Sequence, residues 1–417
     1  MKLKIRKSLS LPSSLLPSPQ GEGLGVRSFL LLLFTFVFLT QLNAQKFALN
    51  GYVKDMQTFY FIENGVPVPS GEELDASNYN MIHNRLNFSY NPNNSLRFEL
   101  GVRNRLLAGK LMAQLPQYAS YFKQDDGIVQ LSWNLAEKNG WFLNTSIDRL
   151  YVDYTLGKWQ LKVGRQRINW GIDLVWNPND LFNAFSYIDF DYEERPGSDA
   201  VSLTYYTSES SSLDLAFKTN KNNKTTAAAR YRFNFHDYDI QLIGGKSDAD
   251  VVIGGGWSGG LGKMSFRGEG SVFVPAFKGS ANSVTSVSAT ISTDYTFENS
   301  FYIGAAFLFN SMGATDEIGG ISLLSPDLNL SAKQLSLGKY ELFGQVSYPL
   351  SPIVNLAFAT MYNPSDHSAY LGPTTTISLL DDLELMLTAQ LMLGDTGTEY
   401  GAYGNTYACY GRLRWSF

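Results

Sequence analysis

Apolar residues recur at every second position along much of this chain, and the positions between them are polar or charged. In "SLRFELGVRNRLL", Ser95 to Leu107, one face holds Leu96, Phe98, Leu100, Val102 and Leu106. Arg97, Glu99, Arg103 and Arg105 hold the other. A period of two is the mark of an extended strand with unlike faces. "SIDRLYVDYTLG" repeats it, with Leu150, Val152, Tyr154 and Leu156 against Arg149, Asp153 and Thr155. "KWQLKVGRQ" follows, with Trp159, Leu161 and Val163 against Gln160, Lys162 and Gln166. Similar segments continue to the end, separated by Asn, Ser, Gly, Asp and Lys, the residues of turns. The pattern predicts an all-β chain of roughly 16–18 strands arranged as a meander without helices between them.

A soluble sandwich needs fewer strands per domain, and a propeller needs a blade repeat that is missing here. The arrangement that accommodates charge on every alternate residue is a large transmembrane antiparallel β-barrel, its apolar face toward lipid and its polar face toward a lumen. The aromatic content supports it, with 24 Tyr and 27 Phe in 417 residues. Arg97, Arg103, Arg105, Arg149, Lys162, Arg412 and Arg414 are then expected to face the lumen. An Arg or Lys turned to lipid at mid-membrane costs about 2–4 kcal/mol.

The first 44 residues read as a targeting segment. Arg27 precedes "FLLLLFTFVFL", Phe29 to Leu39, and "QLNA" ends on Ala44. The apolar run is too short for a spanning helix and fits a secretory signal peptide cleaved before Gln45. The stretch 1–26 has no role in such a peptide, so an N-terminal extension from a misassigned start is expected. Residues 45–417 form the expected barrel. Cys409 is the only cysteine, which excludes an internal disulfide framework and a Cys-rich metal site. The net charge of -5 gives no reason to invoke nucleic acid. No cofactor or metal motif is present, and no phosphate loop of the GxxxxGK type that would power transport.

The longest polar–aromatic interruption lies between strands ending near Gln166 and beginning near Asp199. It holds Arg165, Arg167, Trp170, Asp173, Trp176, Asp180, Tyr187, Asp189, Asp191, Glu193, Glu194 and Arg195. Loops of this length are functional or disordered, and the aromatics argue against disorder. The expectation is a loop near 167–198 that folds inward and lines or supports a constriction. The same residues admit a structural reading, in which Arg165 and Arg167 pair with Asp189, Asp191 or Glu193 and pin the loop to the wall. Trp170, Trp176 and Tyr187 could stack on sugar rings or form the loop's own small core.

This stretch resembles a motif of porin-like outer-membrane barrels of Bacteroidetes, where a Gly-Arg-Gln strand runs into Trp-Gly and then Asn-Pro-x-Asp-Leu-Phe-Asn. The matching residues are Gly164, Arg165, Gln166, Trp170, Gly171, Asn177, Pro178, Asp180, Leu181, Phe182 and Asn183. The final strand, "TYACYGRLRWSF", ends on Phe417 and resembles the assembly signal of Gram-negative outer-membrane barrels. These resemblances imply a place in the outer membrane of a Gram-negative bacterium, with lipid, lipopolysaccharide and the barrel assembly machinery as partners.

The function expected is passive, weakly selective diffusion of small polar solutes. The alternative is a scaffold or secretion-associated barrel that serves partner binding, with homo-oligomers possible in either case. The segments Tyr60–Asn80 and Met312–Gly338 are candidates for partner contact. A hydrolase is the weakest reading. His83, His236 and His367 lack a placed nucleophile, and Asp366, Ser365 and Ser368 beside His367 do not make a triad by adjacency. No catalytic residue is assigned.

Overall fold

The computed structural model describes residues 46–68, 71, 73–183, 188, 197–276, 284–316, 318–324 and 331–417. The expected leader lies outside the described residues, as do Tyr187, Asp189, Asp191, Glu193, Glu194 and Arg195.

The strands are β1 (Phe47–Ile62), β2 (Ala76–Asn93), β3 (Leu96–Ala108), β4 (Ser132–Lys138), β5 (Trp141–Leu156) and β6 (Trp159–Gln166). Then come β7 (Ser198–Tyr206), β8 (Ser212–Thr219), β9 (Thr225–Phe235), β10 (Tyr238–Ser247), β11 (Asp250–Leu261), β12 (Met264–Pro275) and β13 (Ser286–Thr296). The last six are β14 (Tyr302–Asn310), β15 (Tyr340–Ser351), β16 (Val354–Tyr362), β17 (Ala369–Leu380), β18 (Leu383–Leu393) and β19 (Thr406–Ser416). All form one antiparallel sheet, which closes where β1 pairs with β19 in the register Tyr52↔Ser416 to Ile62↔Thr406. Closure leaves no free edge, the condition for sheet in a bilayer.

The wall is an 18-strand barrel although 19 strands are present, because β4 and β6 share one edge of β5. β4 pairs with Trp141 to Ser146 and β6 with Leu150 to Leu156. The meander is also not free of helix, contrary to expectation. Lys110–Gln114 and Gln117–Lys123 are short helices in the β3–β4 connection. Their buried Leu111, Met112, Tyr118 and Ala119 pack against Tyr60, Leu107, Phe142 and Tyr410 on the inner wall. Both helices are too short to stand out from strand periodicity in the sequence, and tertiary contact holds them.

Tight turns gather at the end that carries the C-terminus. His236 and Asp237 join β9 to β10 with φ of 48° and 66°, the left-handed pair of a two-residue hairpin turn. Near these turns Tyr90, Tyr154, Trp159, Phe235, Phe297, Tyr348, Trp415 and Phe417 are exposed, an aromatic girdle of the kind that marks a membrane interface. The longer connections lie at the opposite end. Between the two, outward positions such as Leu161, Leu215, Ile253, Phe307, Leu342 and Leu387 are exposed, whereas the alternate, inward positions are buried or polar. The alternation read from "SLRFELGVRNRLL" holds. Arg103 and Arg105 share the inward face with buried Leu107, opposite Phe98 and Leu106. Arg412 and Arg414 lie likewise opposite Leu413 and Trp415.

Candidate functional site: the lumen and its inward loop

The connection that follows β6 turns back inside the wall. Gly164 starts the change of direction with φ 122°, and a Cβ there would sit 2.2 Å from the Leu150 carbonyl. The segment 167–183 then folds on itself. Asn177 Nδ2 donates to the Asp173 carbonyl at 2.9 Å, and the Ile168 amide donates to Asn183 Oδ1 at 3.2 Å. The Trp170 and Phe182 rings meet edge to face with centroids 5.0 Å apart. Gly171 is required because a Cβ would lie 2.4 Å from the Asn177 side chain. The motif residues are thus the ones that give the segment its own shape.

Its fastenings to the barrel come from strands well removed in sequence. Gln241 of β10 donates to the Trp170 carbonyl at 2.8 Å. Glu269 of β12 accepts from the Ile172 amide at 2.7 Å and the Asn179 amide at 3.4 Å. Asn179 Nδ2 donates to the Gly255 carbonyl at 2.9 Å, and Ser271 Oγ donates to Asn179 Oδ1 at 2.8 Å. Lys218 of β8 donates to the Phe182 carbonyl, and Gln390 of β18 to the Ile188 carbonyl at 2.6 Å. Val175, Trp176 and Ile188 join an apolar cluster with Leu308, Phe343, Met361, Tyr370 and Met392, from β14 to β18. A connection rooted at β6 and β7 therefore reaches wall positions from β8 to β18. Only a chain inside the barrel can do so.

Among the residues named from sequence, Trp170 and Trp176 are buried at 3% and 6% exposure in these contacts. The Arg230 guanidinium carbon lies 5.2 Å from the Trp170 ring, a cation–π contact. Asp173 and Asp180 are buried as well, and Arg167 is exposed. Burial raises the Asp173 carboxyl above the ordinary aspartate range. Ser292, the Leu174 amide, Thr290 and Arg267 act in the opposite direction.

Arg165 pairs with partners that the sequence did not indicate. Nε and Nη2 donate to Asp199 at 2.7 and 3.0 Å, and Nη1 donates to Asp125 at 2.6 Å. Nη2 also reaches the Val129 carbonyl at 2.8 Å. This guanidinium ties the chain ahead of β4 to the top of β6 and β7. The nearby charged wall residues are paired too. Arg85 meets Asp148 at 2.7 Å, Arg412 meets Glu384 at 2.9 Å, Lys162 meets Asp153 at 3.5 Å, and Arg149 meets Asp148 at 3.6 Å. Arg97 pairs with Glu99 on its own strand.

Another fastening centres on fully buried Glu399, which accepts from Ser336 Oγ at 2.7 Å, the Leu337 and Gly338 amides at 3.0 Å, and Asn363 Nδ2 at 2.8 Å. It joins the connections before β15, β17 and β19. Sequence reasoning missed Glu269, Gln241, Lys218, Asp125, Gln390 and Glu399. Polar residues recur along the inward face of the wall among apolar ones, so nothing local singles these out.

Solved barrels are similar over nearly the whole length. OccK11 (OpdR) of Pseudomonas aeruginosa superposes with a TM-score of 0.53 at 11% identity, over 89% of this chain and 96% of that one. OccAB2 and OccAB3 of Acinetobacter baumannii give 0.53 at 10% identity, over 88% of this chain and 98% and 99% of theirs. At these identities the likeness is one of fold alone. No protein-family model matches the chain, and no curated protein matches it in sequence.

Proposed function

We propose that this chain is a channel of the Gram-negative outer membrane through which small polar solutes diffuse passively and with weak selectivity. One observation carries the reading: a polar–aromatic connection is fixed by named hydrogen bonds inside an 18-strand wall. A barrel of this strand number is wide enough to leave a water-filled channel, and a fixed inward loop narrows it. Lys54, Arg85, Arg103, Arg105, Arg412 and Arg414 line neighbouring inward faces of β19, β1, β2 and β3, and Arg85 pairs with Asp148 and Arg412 with Glu384, so charge of both signs meets the lumen, in keeping with weak selectivity. Lipid and lipopolysaccharide surround the wall in this reading, and β19 with its terminal Phe417 engages the assembly machinery. The chain is not an enzyme and needs no cofactor.

The test is conductance of the purified, folded protein in a planar bilayer, beside a variant lacking residues 174–192. Larger conductance in the deletion supports a constriction formed by the loop. A folded wild-type protein that never conducts would reject the channel. A second reading, a barrel that binds partners and conducts nothing, is favoured by the apolar packing of Leu111, Met112, Tyr118 and Leu324 inside the loop-bearing end.

A further inference from the structure

Among the described residues, amide side chains at outward positions of the strands are gathered in one place. On β1, β2, β3 and β5 the outward positions include Asp55, Gln57, Asn80, Asn84, Asn104 and Thr145. They bond to one another and to the wall. Asn80 Nδ2 donates to Asp55, Gln57 Nε2 to the Tyr79 carbonyl at 3.2 Å, and Asn84 Nδ2 to the Tyr52 carbonyl at 3.3 Å. Asn104 Nδ2 donates to Asn84 Oδ1 at 3.2 Å, and Thr145 Oγ1 donates to Asn104 Oδ1 at 2.8 Å. The stripe is not a rim feature. Ile82, Leu106 and Leu143 flank the row Asn84, Asn104 and Thr145 on the loop side, and Leu86, Val102 and Ile147 on the turn side; Asn80 lies one outward position beyond Ile82. From β6 round to β19, the outward positions among the described residues hold no Asn, Gln, Asp or Glu apart from Asp199, which Arg165 clamps.

Amides and a carboxylate turned to hydrocarbon are unfavourable even when they are bonded to one another, because spare donors and acceptors remain. Each Asn amide here has two donor hydrogens and an acceptor oxygen, more capacity than its bonds within the stripe use. We propose that the outward face of β1, β2, β3 and β5 is the contact surface for a second copy of this chain, side by side in the membrane. Two properties select that occupant. An amide carries donor and acceptor on one group, so a row of amides is complementary to itself. Rotation about the membrane normal also preserves depth, so a second copy presents its polar groups at the same level as the first. Isologous pairs about such an axis are the commonest oligomers. The exposed indole of Trp133, beside Thr145, and exposed Ile82 supply apolar contact around the stripe.

The experiment uses the full chain with Cys409→Ala, carrying either Asn104→Cys or, as control, Leu215→Cys on the outward face of β8. Oxidation in native membranes is expected to give a disulfide-linked band of twice the chain mass for Asn104→Cys and none for the control. Equal cross-linking at both sites, no cross-link at Asn104→Cys, or a linked band of another mass each overturns the proposal. A second readout needs no variant. Light scattering of the wild-type protein in mild detergent is expected to give a dimer, and a monomer at every concentration overturns it. In Asn84→Leu with Asn104→Leu, folding is verified by the heat-dependent gel shift of intact barrels. Self-association is expected to weaken about tenfold, the scale of one or two polar contacts in a membrane. Single-channel conductance is read separately, so failure of the channel reading and failure of this one are distinguishable.

Discussion

Arg165→Met should destabilise the barrel more than any exposed charge removal. The side chain is 6% exposed and makes short contacts to Asp125 and Asp199 as well as to the Val129 carbonyl. Methionine fills much of the same volume, so little cavity is created. The loss comes from two poorly hydrated carboxylates left without their cation. Breaking a buried pair by removing one partner costs about 3–5 kcal/mol. The assay is urea unfolding of the protein in liposomes, with hydrogen exchange at the Ile147 and Leu131 amides as the local probe, since Ile147 N–H donates to the Leu131 carbonyl at 2.8 Å. A variant with Asp125→Asn and Asp199→Asn added to Arg165→Met should recover a large part of the loss, because the orphaned charges are gone. Arg165→Lys should fall between, since one ammonium cannot reproduce the forked contacts. The reasoning is refuted if Arg165→Met unfolds within about 1 kcal/mol of wild type, the range of exposed ion pairs. A changed ion selectivity with unchanged stability would instead place Arg165 among pore-lining groups.

Three further outcomes are expected. Gly171→Val places side-chain atoms against Asn177 and should dislodge the inward loop, read as faster exchange at Ile172 and larger conductance in an intact barrel. Glu399→Ala leaves the Leu337 amide and the Asn363 side chain without their acceptor and the Gly338 amide with Ser336 Oγ alone, and should cost about 3 kcal/mol, the scale of a buried, multiply bonded acceptor lost, read as exchange at the Leu337 and Gly338 amides. The raised Asp173 carboxyl sets a pH dependence. The folded state holds that proton more tightly than the unfolded one, so its contribution is full below the ordinary aspartate pKa. The contribution is lost as pH rises through the raised value. Asp173→Asn should remove this slope, measured as loop exchange against pH from about 3 to 8.

The strands were legible because a two-residue period with charge on one face has few other physical solutions, and Arg103, Arg105, Arg412 and Arg414 mark the lumen face locally. The inward loop was legible as a motif because Gly164, Gly171, Asn177 and Asn183 act on near neighbours. Its seat was not, since Glu269, Gln241 and Gln390 are brought to it only by closure of the sheet. Arg165 illustrates the same limit. Acidic residues close in sequence looked like its partners, yet Asp125 reaches it from the β3–β4 connection, across β5. The helices at Lys110–Gln114 and Gln117–Lys123 were hidden for a related reason, their apolar residues being satisfied by the far wall and not by any pattern of their own.

The shared edge of β5 separates two dimensions that a plain meander keeps coupled. In a closed sheet, adding a strand ordinarily widens the ring. Here Ser132–Lys138 sits in line with Trp159–Gln166 along the same neighbour, so the extra strand adds height and no girth. The rim is correspondingly uneven, tall along β1, β2 and β5 and low along β6, β7 and β8, whose strands run eight or nine residues against sixteen to eighteen. The Arg165 clamp closes the step between the two heights. A graft lengthening β4 would raise the parapet on one flank while leaving the bore as it is.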